Sequence, residues 1–141
     1  MALNVPDVGL KQVIMLLQAG FPQLFVRLFQ NDYTPAAGSV LANFTEATFS
    51  GYVAGTIQPG AAGWPGAPLL DAANHRYQIT AGNVAYNGTG AGITNTIYGY
   101  YVCDQANNLW WAERLPGAPF TMGAAGSNLT ITPTLTDRSE F

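Results

Sequence analysis

The sequence predicts an all-β fold, a single compact sandwich or barrel-like domain over residues 1–141, preceded by one short N-terminal helix. Two observations point there. Apolar residues recur with period two in several short runs, and 16 Gly and 9 Pro punctuate the chain between them. Only one segment carries a helical period. Leu10, Val13, Ile14 and Leu17 fall at i, i+3, i+4 and i+7, Asp7 is placed to cap the N-terminus, and Gly20 with Pro22 supplies the stop. This reading divides the domain into an N-terminal arm and helix over 1–20 and a β region over 21–141.

From Gln23 the period changes to two. Leu24, Val26 and Leu28 alternate with Phe25, Arg27 and Phe29, a strand buried on both faces apart from Arg27. Asn31-Asp32 and Thr34-Pro35 break the chain. Leu41, Phe44 and Phe49 pin the following connection, a loop or short helical turn, onto the core. Gly51–Ile57 reads as a second strand, and Pro59–Pro68, with Trp64, as an irregular surface loop. Tyr77–Thr80 and Val84–Tyr86 are short strands, followed by a Gly-rich turn over Asn87–Gly92. Ile93–Cys103 is the strongest strand. A polar loop, Asp104–Asn108, joins it to Leu109–Leu115 as a hairpin. Leu129–Leu135 alternates cleanly, and Pro133 places it at a sheet edge.

Charge is scarce: 9% of residues, against roughly a quarter in an ordinary soluble domain. A surface solvated by Thr, Asn, Ser and Gly has little charge repulsion, which suits a protein packed against others. Net charge is −3, and Lys11, Arg27, Arg76, Arg114 and Arg138 are scattered, so there is no footprint for nucleic acid. The first residues lack the basic n-region of a signal peptide, and Val13–Leu17 is too short to span a bilayer. Synthesis in a cytoplasm and no membrane partner are expected.

The residues argue against an enzyme. His75 is the sole imidazole and lies beside Arg76; Cys103 is the sole thiol, expected buried. No metal-ligand spacing, cofactor motif or phosphate loop is present in the sequence. Glu46 and Glu113, with Asp104 as a third candidate, could in principle form a hydrolytic pair, but eight acids make some such pair inevitable.

Aromatic residues form the informative cluster. Tyr98, Tyr100, Tyr101, Trp110 and Trp111 fall on the two arms of one hairpin, and consecutive Trp residues send at least one ring away from the core. Arg114 follows directly, paired with Glu113 across strands or between subunits. Contact candidates are Trp64, Tyr98, Tyr101, Trp110, Trp111 and Arg114, with Leu3 and Val5 of the arm, which lack core periodicity and can add to a neighbour.

Six stretches, in order, carry a resemblance. They are Leu28-Phe29-Gln30-Asn31-Asp32-Tyr33-Thr34-Pro35, Leu41-Ala42-Asn43-Phe44-Thr45-Glu46-Ala47 and Phe49-Ser50-Gly51-Tyr52. Ile97-Tyr98-Gly99-Tyr100-Tyr101-Val102, Leu109-Trp110-Trp111-Ala112-Glu113-Arg114 and Leu129-Thr130-Ile131-Thr132-Pro133 complete the set. Together they resemble a family of small structural proteins of tailed bacteriophages. The resemblance implies a virion component, foremost a capsid decoration (cement) protein on the capsid exterior. It would bind the major capsid protein; the low charge and outward aromatics add the expectation of a homotrimer, and the residues that of no cofactor. Two other readings stand beside it: a tail, baseplate or fibre component, and a sugar-binding module using Trp64, Trp110 or Trp111.

Overall fold

The computed structural model describes residues 6–138. It is mostly β, 36% strand against 14% helix, with one helix in the N-terminal region and several antiparallel sheets, as the sequence predicts. The elements run α1 (Asp7–Gly20), β1 (Leu24–Phe29), β2 (Gly55–Ile57), β3 (Leu69–Asp71), β4 (Arg76–Thr80) and β5 (Val84–Asn87). They continue with β6 (Asn95–Ile97), β7 (Gly99–Asp104), β8 (Leu109–Arg114), β9 (Phe120–Met122), β10 (Asn128–Ile131) and β11 (Thr134–Arg138). The sheets have the orders β2-β1-β7-β8, β10-β5, β11-β4-β3 and β6-β9. The described residues form two compact units, one from 6–22, 57–83 and 132–138, the other from Gln23–Thr56 and Val84–Ile131.

In the first unit α1 lies against β4, and β4 pairs with both β3 and β11. Tyr77 and Ile79 alternate inward along β4. The helix departs from its predicted packing. Asp7 is its first residue rather than its cap; Pro6 holds the N-cap position, with no side-chain cap. Of the predicted stripe, Ile14 is fully buried, Val13 and Leu17 are exposed, and the Leu10 side chain lies outside the described residues. The reason is Gln18. Its Nε2 donates to the carbonyls of Trp64 (3.0 Å) and Gly66 (3.2 Å). This turns the Ile14–Gln18 line inward, since residues four apart share a helix face. Trp64 is itself buried and stacks on Phe21 at 4.9 Å between centroids. Pro59–Pro68 is largely the expected surface loop, opened by a 3₁₀ turn at Gly60–Ala62, but Gly63 and Trp64 within it are buried.

The second unit is built on β1: Leu24, Val26, Leu28 and Phe29 are fully buried and Arg27 half-buried as expected, while Phe25, expected buried, is also half-buried. It pairs antiparallel with β7, from Leu24 opposite Asp104 to Phe29 opposite Gly99. One face carries an aromatic cluster. Phe44 stacks on Tyr101 at 5.1 Å and meets Phe29 at 5.2 Å and Tyr33 at 5.4 Å. Phe44 and Phe49 are buried and Leu41 packs against the cluster from a 3₁₀ turn, Leu41–Asn43, as expected of that connection.

A polar network ties this connection to β1. Arg27 Nη1 donates to Glu46 Oε2 (3.2 Å), the Tyr52 hydroxyl donates to Glu46 Oε1 (3.0 Å), and the Leu28 N–H donates to the Tyr52 oxygen (3.2 Å). The Tyr86 hydroxyl donates to the Val26 carbonyl at 2.7 Å.

Three predicted strands are shorter or divided. Gly51–Ile57 is strand only over Gly55–Ile57, because Gly51 takes φ +95° and the Tyr52 N–H turns back to the Phe49 carbonyl. Ile93–Cys103 splits into β6 and β7, which pair in different sheets. Leu129–Leu135 splits into β10 and β11, with Pro133 between strands rather than in one. The Pro133 carbonyl accepts from the Ala81 N–H at 2.8 Å. No prediction covered β3 or β9.

Candidate functional site

The β7–β8 hairpin places the aromatic residues singled out in the sequence, and it sorts them sharply. Tyr101 is buried in the aromatic cluster and Trp64 in the first unit's core, so neither offers a ring to a partner; both contact expectations are corrected. Tyr101 points inward because β7 is buried from Gly99 to Cys103, on both faces. Tyr100 is buried too, its hydroxyl donating to Glu113 Oε2 at 2.8 Å across the strand pair. Burial pushes the Tyr100 phenol well above its ordinary pKa, and the Glu113 carboxylate adds to the effect.

Tyr98, Trp111 and Arg114 are half-buried. The Arg114 guanidinium lies over the Tyr98 ring at 5.1 Å, pairs with Asp32 Oδ1 at 2.6 Å and donates to the Tyr33 carbonyl at 3.2 Å. Glu113 and Arg114 thus serve different partners, Tyr100 and Asp32, within the chain. Leu3 and Val5 lie outside the described residues.

Trp110 is the one large aromatic of the hairpin that faces solvent, 41% exposed. Its position has a cause in the register. Leu109 pairs with Cys103 and Trp111 with Val102, leaving Trp110 as the extra residue of a bulge on β8. The preceding turn is organised by Asp104. Oδ1 accepts the backbone N–H groups of Ala106 (2.9 Å) and Asn108 (2.9 Å). Oδ2 accepts Asn108 Nδ2 (2.8 Å) and the Trp110 indole Nε1–H (3.2 Å). These donors, Asn108 first, hold the Asp104 carboxyl below its usual range.

A second surface lies on the helix of the N-terminal arm. On α1, Val8 (71%), Leu16 (73%), Met15, Val13 and Leu17 are all exposed, and Leu69 and Leu70 of the edge strand β3 join them in the same unit. A helical wheel carried the signal. Between Val8 and Ala19 only Lys11, Gln12 and Gln18 are polar, so the helix is apolar nearly all round. Helices of that kind are normally covered.

The remaining chemistry is sparse. Cys103 is fully buried, and burial pushes its thiol up despite the nearby Arg27. His75 sits exposed in a turn at φ +45°. Among the described residues no group of three or more His, Cys, Asp or Glu is placed to hold a metal ion, and no helix is long and apolar enough to cross a membrane. The arrangement offers aromatic and aliphatic contact surfaces. No protein-family model, no curated protein and no solved structure matches the chain.

Proposed function

We propose that this chain is a non-enzymatic virion structural protein, a capsid decoration protein that binds the outside of the major capsid protein shell as a homotrimer. The observation that carries the reading is the apolar outward face of α1. Five large aliphatic side chains on one short helix stand in water, on a surface with little charge to solvate it. Contiguous apolar surface of that kind marks a protein–protein contact. A second copy or a capsid subunit covers it in the assembled state. The order of the six stretches from Leu28 to Pro133 supplies the virion context, as a resemblance only.

Leu16→Asp tests the proposal, since the side chain is 73% exposed and its replacement leaves the core untouched. The variant is expected to melt like wild type, to lose oligomer in light scattering, and to leave particles at lower occupancy. Wild-type occupancy and oligomer size in the variant would overturn the role of α1. A monomeric 15.0 kDa wild-type protein that never co-purifies with capsids would overturn the whole reading. A few copies confined to the tail would replace capsid by tail.

A further inference from the structure

We propose that the tip of the β7–β8 hairpin is a carbohydrate-binding site for a neutral pyranose. Trp110 stacks on its C–H face and the Asn108 amide meets its hydroxyls. The inference goes beyond the structural role above and rests on separate residues.

The site is built rather than incidental. A bulge turns the indole outward, and Asp104 then fixes it. Because Asp104 Oδ2 accepts both the indole N–H and Asn108 Nδ2, the ring edge and the amide lie side by side. Oδ1 of the same carboxylate holds the backbone of the turn through two N–H groups. Ring, amide and loop are therefore ordered before any ligand arrives, and an ordered site loses little entropy on binding.

The chemistry of the rim selects the ligand. An indole face carries negative quadrupole charge and attracts the slightly positive C–H face of a sugar ring. Sugar hydroxyls both donate and accept, and an amide does the same. The exposed Asn108 donates its Nδ2 to the same Asp104 oxygen that holds the indole N–H, and its Oδ1 takes part in no hydrogen bond among the described residues of the turn. Exposed Asn107 and Gln105, the latter donating to Gln23 Oε1 at 3.1 Å, extend an amide-rich border. From Gln105 to Ala112 no residue is charged, while Asp104 keeps a negative charge at the base. This disfavours sulfated and carboxylated sugars. A docking site for an apolar protein segment would have aliphatic neighbours around the indole instead of Asn and Gln.

The test follows the indole N–H resonances of the full chain during millimolar titrations with lactose, cellobiose, maltose and N,N′-diacetylchitobiose. With three Trp residues, the Trp64 and Trp111 signals report whether the fold is intact. The expected result is a saturable shift of the Trp110 signal with at least one disaccharide. W110A is expected to weaken that binding by about tenfold or more, as loss of a stacking ring does elsewhere. W110Y keeps most of it, and D104N weakens it by about threefold through loss of positioning. No Trp110 shift with any of the four sugars, or undiminished binding by W110A, overturns the site. Loss of particle attachment by W110A without any sugar binding makes the hairpin a protein contact and overturns it equally. Failure of the capsid reading leaves the sugar titration unchanged, so the two outcomes are distinguishable.

Discussion

Glu46 is where a single residue does most for the second unit. Its carboxylate takes Arg27 on one oxygen and Tyr52 on the other, while its carbonyl accepts Gln30 Nε2 at 2.9 Å. Removing the side chain strands two partly buried donors. Glu46→Ala is expected to destabilise by about 2–3 kcal/mol, and Glu46→Gln by less because an amide oxygen still accepts. Urea unfolding of both variants checks this, and equal loss in the two would mean that charge and not acceptance matters. The residue types of this network were visible in the sequence, but their meeting was not. Arg27 and Glu46 lie 19 residues apart, and nothing in the spacing places the connection antiparallel to Phe29. Trp64 and Tyr101 illustrate the converse. Their chemistry suits contacts, yet tertiary packing closes both from solvent.

At the scale of elements, α1 begins without a side-chain cap because Pro6 holds that position. Pro6→Ser is expected to stabilise by about 0.5–1 kcal/mol, since a hydroxyl can accept an N–H of the first turn. Thermal melting reads the change; a lower melting point would show that the proline ring itself positions the entry. The helix, the two-faced β1 and the hairpin were legible, because each rests on a local period or a local turn. Strand divisions were not. Ile93–Cys103 has continuous β propensity, and what divides it lies elsewhere in the chain. At Gly99 a Cβ would overlap the Glu113 carbonyl and the Phe29 ring, so the backbone comes close where two neighbours already stand. The division at Pro133 had a local signal, a missing donor, but it was read as an edge when it marks a change of sheet. The candidate site was half legible. The pair of Trp residues announced an outward ring, whereas the bulge that selects Trp110 belongs to a register that sequence alone does not give.

The molecule as a whole has a titration behaviour set by its phenols. Tyr52, Tyr86, Tyr100 and Tyr101 are all shifted upward, chiefly by burial, Tyr101 to about 12. A raised folded pKa gives stability that is whole below the unfolded value, about 10, and is lost as pH rises toward the folded value. Stability is therefore expected to fall steadily above about pH 10, with a group of tyrosines ionising only as the fold is lost. Ultraviolet titration beside circular dichroism measures it. Ionisation of all seven tyrosines with the fold intact would contradict the burial. A different consequence follows from the pairing of β4 with β11. Thr80 and Thr134, opposite one another, are 54 residues apart. A ribosome adding roughly 5–20 residues per second needs about 3 to 11 s to cover that distance. Throughout that interval β4 has β3 beside it but not β11, and α1 is already made. The nascent chain therefore presents an unfilled strand edge together with an apolar helix. Self-association before β11 emerges would trap the chain, so premature crowding on one messenger is the hazard this topology carries.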